Sequence, residues 1–569
     1  MMPEDRAKIT SNEYMDLLIQ YNGNMEIIAQ YQDLSVQIMN PSFAVVYLPV
    51  WEIPNRLYSE FGYASLPLCY ALMQDLSLEA SGITKLRGIS ALNLRGKGVL
   101  IGMVDTGIDY TNPVFQNEDG TTRIVSIWDQ SIESEDGYPD MDYPAYFGTE
   151  YTREQINEAI KSPNPLEVVP SMDTNGHGTK LAGIAAGSED RENDFTGIAT
   201  DSELIVVKLK QAKQNIMDYF SIPTGVPCYQ ENDMIWGIQY LVEVARKLQR
   251  PLAICIGVGT SQGAHDDSGF LNTEVSLVAD FPGVALSVAG GNEGNARRHF
   301  YSALDPDTSV SVELNVGENE SGFTMELWGD PPMLYTLDIL SPNGEYIPAI
   351  TERLEESRRI RFVFEQTIIT IRYIMIEQIT GKQVILLNFQ SPTAGTWKFQ
   401  VYGRGDLRGA FHIWLPAGDF ITRDTYFTEA NSYTTLTSPA NSIVPISMVA
   451  YNSNSGTLYS DSGKGFSTSN IINPDLAAPG VNLICPGLNH EFTTMTGTSA
   501  ATAHMVGITA MVLEWGVVNN NYPNIDTLGI KKMLIRGAQR NRLLQYPNRA
   551  WGYGIVDIYN AYNIFRTDT

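Results

Sequence analysis

Basic residues are scarce in this 569-residue chain: 38 Lys and Arg stand against 65 Asp and Glu, for a formal net charge of −27. Such a charge repels nucleic acid and anionic membranes, so neither is expected as a main partner. Cysteine is scarcer still, with Cys69, Cys228, Cys255 and Cys485 alone. None forms a C-x-x-C pair, which argues against a structural zinc cluster. Free thiols in a reducing compartment are the simpler reading, with two disulfides the alternative. The N-terminus, Met1-Met2-Pro3-Glu4-Asp5-Arg6, shows no basic stretch leading into an apolar one. No signal peptide is expected, which favours a location inside the cell over the medium. Long apolar runs are also missing but for Ser499–Val518, which carries His504 and Glu514 and reads as a buried core helix. There is no repeat and no low-complexity segment. What is plentiful is ordinary globular composition, 43% hydrophobic and 18% charged, enough for a large core and about three domains.

The texture changes along the chain. Residues 1–74 read as a small α+β unit, with helix over Ser11–Tyr31 capped by Ser11 and a strand over Phe43–Val50. Leu66–Met73 reads as a strand or an extended tail, and Leu76–Ile83 as a short helix ending at Gly82. From Gly96 almost wholly apolar strands (Gly98–Val104, Leu204–Leu209, Ala253–Val258, Val284–Ala289) alternate with helices (Lys180–Ala186, Asp233–Leu248). That is the pattern of a parallel sheet covered on both faces. From about Ser302 to Asp424, short strands of period two follow at regular turns: Val310–Val316, Phe323–Trp328, Ile360–Phe364, Thr367–Tyr373, Gln383–Asn388 and Trp397–Tyr402. They predict a β-sandwich or jelly roll that interrupts the α/β domain. The α/β pattern resumes near Ile443. The domains expected are thus 1–74, 75–301 and 427–569 around an inserted 302–426.

Four segments carry chemistry. Asp105 ends an apolar strand in Val104-Asp105-Thr106-Gly107. His177 opens a helix in Asn175-Gly176-His177-Gly178-Thr179. Ser499 opens the apolar helix in Thr496-Gly497-Thr498-Ser499-Ala500. Asn292 follows a strand in Ala289-Gly290-Gly291-Asn292-Glu293-Gly294-Asn295. A serine hydroxyl needs a base within hydrogen-bond reach, histidine titrates near neutral pH, and a buried carboxylate orients the imidazole. Free N–H groups at the Ser499 helix start and the Asn292 amide can stabilise an oxyanion. Each segment alone has a plain structural reading as a turn or a cap; the four together, at element ends, point to nucleophilic acyl transfer. His265, His299, His412 and His490 belong to no motif, and His504 reads as structural.

The four segments resemble those of the subtilisin-like serine proteases, the subtilases. Pro474-Asp475-Leu476-Ala477-Ala478-Pro479-Gly480 and Trp551-Gly552-Tyr553-Gly554-Ile555-Val556-Asp557 resemble two further family segments. The resemblance covers about 75–300 and 430–565. It implies a triad of Asp105, His177 and Ser499, an oxyanion hole from Asn292 and the Ser499 N–H, and Gly259 as a backbone contact for substrate. Two segments depart from the family. Ala500-Ala501-Thr502-Ala503-His504 lacks the usual proline, and Gly257-Val258-Gly259 stands where Ser-Leu-Gly is common. From Asn292 to Ser499 the chain runs 499 − 292 = 207 residues, far more than in minimal members, which leaves room for the inserted β-module.

That architecture resembles the clostridial germination-specific Csp proteases and their Lachnospiraceae relatives. The resemblance implies a serine endopeptidase that cuts its own prodomain, which stays bound, and a protein substrate, the zymogen of a spore-cortex-lytic hydrolase. The cut is expected between Gln74 and Asp75. Alternatives are a general intracellular or surface subtilase, or a silent scaffold of the same fold. No metal or other cofactor is expected. Asp129, Glu133, Glu135, Asp136, Asp140 and Asp142 invite a calcium reading, but without an Asp-x-Asp-x-Asp-Gly loop they read as a solvated surface. Trp328, Trp397 and Trp414 could stack on sugars, but read as sandwich core.

Overall fold

The computed structural model describes residues 3–72, 81–87, 93–134, 137–349 and 357–567. Its centre is a nine-stranded sheet. Seven strands run parallel, in the spatial order Leu476–Pro479, Ile446–Asn452, Val284–Ala289, Leu252–Ile256, Leu100–Asp105, Glu203–Lys208 and Ile124–Asp129. Thr149–Thr152 and Thr457–Leu458 add antiparallel to Ile124–Asp129 and Ile446–Asn452. The middle strands are buried at every position, because helices lie on both faces. His177–Ala186 and Thr498–Leu513 pack with one group of apolar residues, and Glu231–Leu248 and Phe270–Ala279 with another. The stretch Thr498–Val518 is long and apolar enough to cross a membrane by composition; it is mostly buried inside the molecule and serves as a core helix.

Strands from His299–Leu304 to Tyr426–Phe427 form two antiparallel sheets. One has six strands in the order His299–Leu304, Gly409–Trp414, Gly322–Gly329, Gln383–Gln390, Ile368–Ile374 and Ser357–Arg361. The other has five, in the order Tyr346–Ile347, Leu334–Leu340, Gly395–Arg404, Ser309–Val316 and Tyr426–Phe427. Alternate side chains of both sheets meet in a shared core built around Phe323, Phe389, Phe399 and Trp397. Trp328, Trp397 and Trp414 are all buried, which fits core packing and not sugar stacking.

The N-terminal segment departs from the sequence reading. Pro3–Thr10 is a helix, but Tyr14–Gln20 is a strand, and within the stretch expected to be helical only Met25–Ile28 and the 3₁₀ turn Ala29–Tyr31 that continues it are so. Tyr14–Gln20 lies antiparallel to Phe43–Pro49, with Tyr14 opposite Pro49, and Ser35–Ile38 pairs on the other side. Short apolar runs do not distinguish helix from strand by periodicity; here a buried neighbouring strand decides. Ser81 lies in a 3₁₀ turn, and Gly82, at φ +79°, follows it and precedes the helix Ile83–Arg87. Residues 76–80 of the expected helix lie outside the described residues.

Candidate active site

Asp105 closes the central strand Leu100–Asp105, at the carboxyl end of the sheet, where open α/β sheets place their ligands. His177 is the first residue of its helix and Ser499 the second of its own. The two helices pack against each other over that strand end, which brings together side chains 72 and 322 residues apart in sequence. His177 Nδ1 lies 2.7 Å from Asp105 Oδ1, and His177 Nε2 lies 3.2 Å from Ser499 Oγ. All three are buried. With the Nδ1 proton donated to the carboxylate, Nε2 is left to accept from the serine hydroxyl. Asp105 Oδ1 also accepts the Thr106 N–H at 2.8 Å.

Glycine is required where these elements touch. A Cβ at Gly178 would stand 2.2 Å from the Gly107 carbonyl oxygen, so the His177 helix can approach the Asp105 turn only with glycine there. Gly497, at the N-cap of the Ser499 helix, holds φ +148°.

Asn292 is anchored by its amide oxygen, which accepts the Thr498 N–H at 3.1 Å and the Thr498 hydroxyl at 3.3 Å. Thr498 Oγ1 in turn accepts the Gly291 N–H at 3.0 Å. Asn292, whose NH₂ group is a donor, is thereby tied to the residue next to Ser499, and the Ser499 N–H belongs to the first turn of its helix and has no intrahelical acceptor. Two donors of this kind are what an oxyanion needs.

Gly259 lies in the short strand Val258–Gly259, and the chain's own strand Cys69–Leu72 occupies the place beside it. Ala71 stands opposite Gly259 and Leu72 opposite Val258. On its other side the same strand pairs with Tyr229–Gln230, Cys69 opposite Gln230. A segment of the N-terminal unit therefore runs between two walls of the core toward the triad. Side chains of the core hold its backbone: Gln262 Oε1 accepts the Cys69 N–H at 2.9 Å, and Glu231 Oε2 accepts the Leu68 N–H at 3.3 Å. Gln74 and Asp75 lie outside the described residues.

At Gly257, Leu181 fills the room that a side chain would take, since a Cβ there would come within 2.6 Å of Leu181 Cδ1. That Cβ would also lie 3.1 Å from Asp105 Oδ2. The acidic run near Asp129 is partly engaged. Asp129 pairs with Lys208 and accepts from Ser131 and Ser171, Asp140 pairs with Lys247, and Asp142 with Arg246.

Sequence reasoning passed over Asp173. It is buried, and its carboxylate accepts from Thr106 Oγ1 at 2.9 Å, Asn175 N at 3.0 Å, Gly176 N at 2.7 Å, and Thr179 N and Oγ1 at 3.0 and 2.7 Å. It ties the turn after Asp105 to the start of the His177 helix. Its signal was an acidic residue just ahead of a helix start, a position that commonly satisfies orphan N–H groups. His504 accepts or donates to Ser81 Oγ at 2.6 Å in a dry site, and burial pushes its pKa down to about 3. That bond fits a structural role.

The model of the subtilase family matches residues 96–314 and 408–554. Among curated proteins the chain is similar to two subtilisin-like proteases of Arabidopsis thaliana. It is 22% identical to SBT3.1 over 475 residues, 78% of this chain and 56% of that protein. It is 23% identical to SBT3.17 over 483 residues, 78% of this chain and 57% of that protein. The chain thus spans little more than half the length of these relatives. Among solved structures it is similar to the Clostridium perfringens CspB protease, with 29% identity and a TM-score of 0.76 over 86% of this chain and 97% of that one.

Proposed function

The chain belongs to the subtilase family, and from that premise we propose that it is a serine endopeptidase whose nucleophile is Ser499. The observation that carries this reading is the unbroken hydrogen-bonded line from Ser499 Oγ through His177 to Asp105. His177 Nε2 takes the hydroxyl proton as Oγ attacks the scissile carbonyl carbon. Asp105 keeps Nδ1–H in place and stabilises the imidazolium. The carbonyl oxygen, now negative, receives hydrogen bonds from Asn292 Nδ2 and the Ser499 N–H. As the tetrahedral intermediate collapses, the imidazolium gives its proton to the leaving amine. Water then repeats the cycle on the acyl-enzyme.

Its first substrate is its own N-terminal segment. Residues 1–74 act as a prodomain, cut between Gln74 and Asp75. The pairing of Ala71 with Gly259 supports this, because an extended chain bound beside the triad is the geometry a peptide bond needs before attack. The catalytic domain comprises 75–301 and 427–569, and the insert 302–426 is of jelly-roll class. After cleavage the segment keeps its place in the cleft and blocks it. Likeness to the CspB protease supports a Csp-type protease; the role we propose for it is activation of a protein zymogen, the hydrolase that lyses the spore cortex, within the spore or cytoplasm.

A fluorophosphonate probe tests the chemistry. Wild-type protein is expected to be labelled at Ser499 and Ser499→Ala to remain unlabelled. A wild-type chain that stays unlabelled after the N-terminal segment has been removed would contradict the reading.

A further inference from the structure

Two of the four cysteines meet. Cys69 lies on the strand Cys69–Leu72, directly opposite Gln230. Cys228 immediately precedes the strand Tyr229–Gln230 that pairs with Cys69–Leu72, and its thiol is within hydrogen-bonding reach of the Cys69 thiol. Both are fully buried and belong to one apolar cluster with Ala212, Met217 and Phe420. Their backbones are held: the Cys69 N–H donates to Gln262 Oε1 at 2.9 Å, and the Cys228 N–H to Gln211 Oε1 at 3.3 Å. Burial pushes the Cys69 thiol well up, and the Cys228 thiol against it raises it further. Cys255 and Cys485 sit apart from this pair, on the strands Leu252–Ile256 and Leu483–Pro486, in a different cluster.

Buried thiols are ordinarily small apolar fillers. What sets this pair apart is where it falls. Cys69 is on the N-terminal side of the proposed cut, and Cys228 is on the catalytic core. A bond between them would join the two products of that cut.

We propose that Cys69 and Cys228 form a redox modification site, a disulfide that fastens the N-terminal segment covalently to the core. The fastening of a cleaved segment rests on the proposed cut after Gln74; the disulfide itself does not. The co-reactant is a small disulfide such as oxidised glutathione. One cysteine thiolate attacks it, forming a mixed disulfide and releasing one glutathione thiol. The second cysteine thiolate then attacks the protein sulfur of the mixed disulfide and releases the other. Two protein thiols and one small disulfide become one protein disulfide and two small thiols. The raised Cys69 thiol makes the closed site unreactive, so exchange proceeds through opening of the three short strands. Once formed, the bond holds Cys69–Leu72 between its two walls. Reduction is required before the strand can leave, so the reduced protein is the one that can release its inhibitor.

The test uses the full chain, both wild type and Ser499→Ala, exposed to oxidised glutathione in dilute urea and returned to buffer. Thiol titration in strong denaturant should fall from four per chain to two, and peptide mapping without reduction should recover Cys69 joined to Cys228. In the wild type, the N-terminal fragment should travel with the core on a denaturing gel and separate after dithiothreitol. Cys228→Ser should abolish the joined peptide. In urea that loosens the non-covalent contacts, the reduced wild type should release its N-terminal fragment on a sizing column, and the oxidised form should retain it until it is reduced. Four thiols remaining, or glutathione attached to either cysteine with no joined peptide, would overturn the proposal. If the wild type is never cut, the joined peptide in Ser499→Ala still decides the disulfide, and the missing fragment counts against the cleavage reading alone.

Discussion

Asn292 and Asp173 act on the same chemistry from different distances. Asn292→Ala removes a donor to the oxyanion while leaving the triad in place. Its expected cost is about 2.7–4 kcal/mol, or 10²–10³ in kcat, the range found for such a donor in subtilisin. KM should change little, because the missing bond forms in the transition state. Asp173 touches no substrate; it is a positioning residue. Asp173→Ala leaves five donors around Thr106 and Thr179 without their acceptor. We expect both a lower melting temperature and a lower kcat, while Asp173→Asn, which keeps an acceptor oxygen, recovers part of each. Steady-state kinetics beside thermal unfolding separate these effects. The hydrogen-bonded line of Asp105, His177 and Ser499 was legible because each sits at the end of a strongly patterned element with a glycine within two residues. Asp173 was not, since its importance lies in partners such as Thr106, 67 residues away, which no local pattern reveals.

At the scale of elements, most strands read from the sequence lie within about two residues of their observed ends, because apolar runs and strict alternation are strong signals; Ile360–Phe364 is instead Ser357–Arg361, and Ile124–Asp129, Leu334–Leu340 and Gly409–Trp414 were not read. Val284–Ala289 was placed with its observed ends. Tyr14–Gln20 was misread as helix, because its burial depends on Phe43–Pro49, beyond any local window. A second non-local feature is a stack of rings where the sandwich meets the core. His265 lies parallel to Trp414 at 4.2 Å, and His412 at 4.9 Å. His299 Nε2 and His412 Nδ1 are 2.8 Å apart. Burial pushes His265 down to about 4 and His299 to about 3, and pushes His412 well down too. These histidines are neutral when folded but take protons when unfolded, near pH 6.5. The unfolded state therefore binds more protons between about pH 6.5 and 4, and stability falls as pH falls through that window. His265 alone sets about 3 kcal/mol of this loss. Glu274, raised to about 7, and Asp267, raised to about 6, work in the opposite direction, as do Asp233 and Glu326, all raised by burial, so the contribution of the stack is read as a difference between variant and wild type. The fall in melting temperature from about pH 6.5 to 4 should be smaller in His265→Gln than in the wild type. An equal fall in both would count against a neutral, buried His265.

Across the whole molecule, three parts of the chain share buried contacts. Glu326 of the sandwich accepts from Tyr63 Oη at 2.8 Å, from the Gly263 N–H at 3.0 Å and from Trp328 Nε1 at 2.9 Å. Trp328, Val384, Leu386 and Trp414 pack in one cluster with Val46, Leu48 and Phe61 from the N-terminal segment and with Met217 and Phe220 from the core. Removing 302–426 would expose both of the other faces, so that deletion is expected to give insoluble protein. A soluble, active deletion would refute a stabilising role for the sandwich. Tyr63→Phe leaves Glu326 short of one donor and should cost about 1–3 kcal/mol, measurable by urea unfolding.

Asp16 of the N-terminal strand is buried against Lys213, Gln230 and Asn232 of the core. The N-terminal segment is thus held by charge and by backbone pairing at once. Such a contact supports the proposal that the segment, once cut, stays where it was made.

The most direct test of that account is the intact mass of the purified wild-type chain beside Ser499→Ala. The account predicts two masses for the wild type that sum to one hydrolysed chain, with a break near Gln74, and a single uncut mass for the variant. Equal, uncut masses in both would contradict a working nucleophile at Ser499, and two fragments in both would assign the cut to another protease.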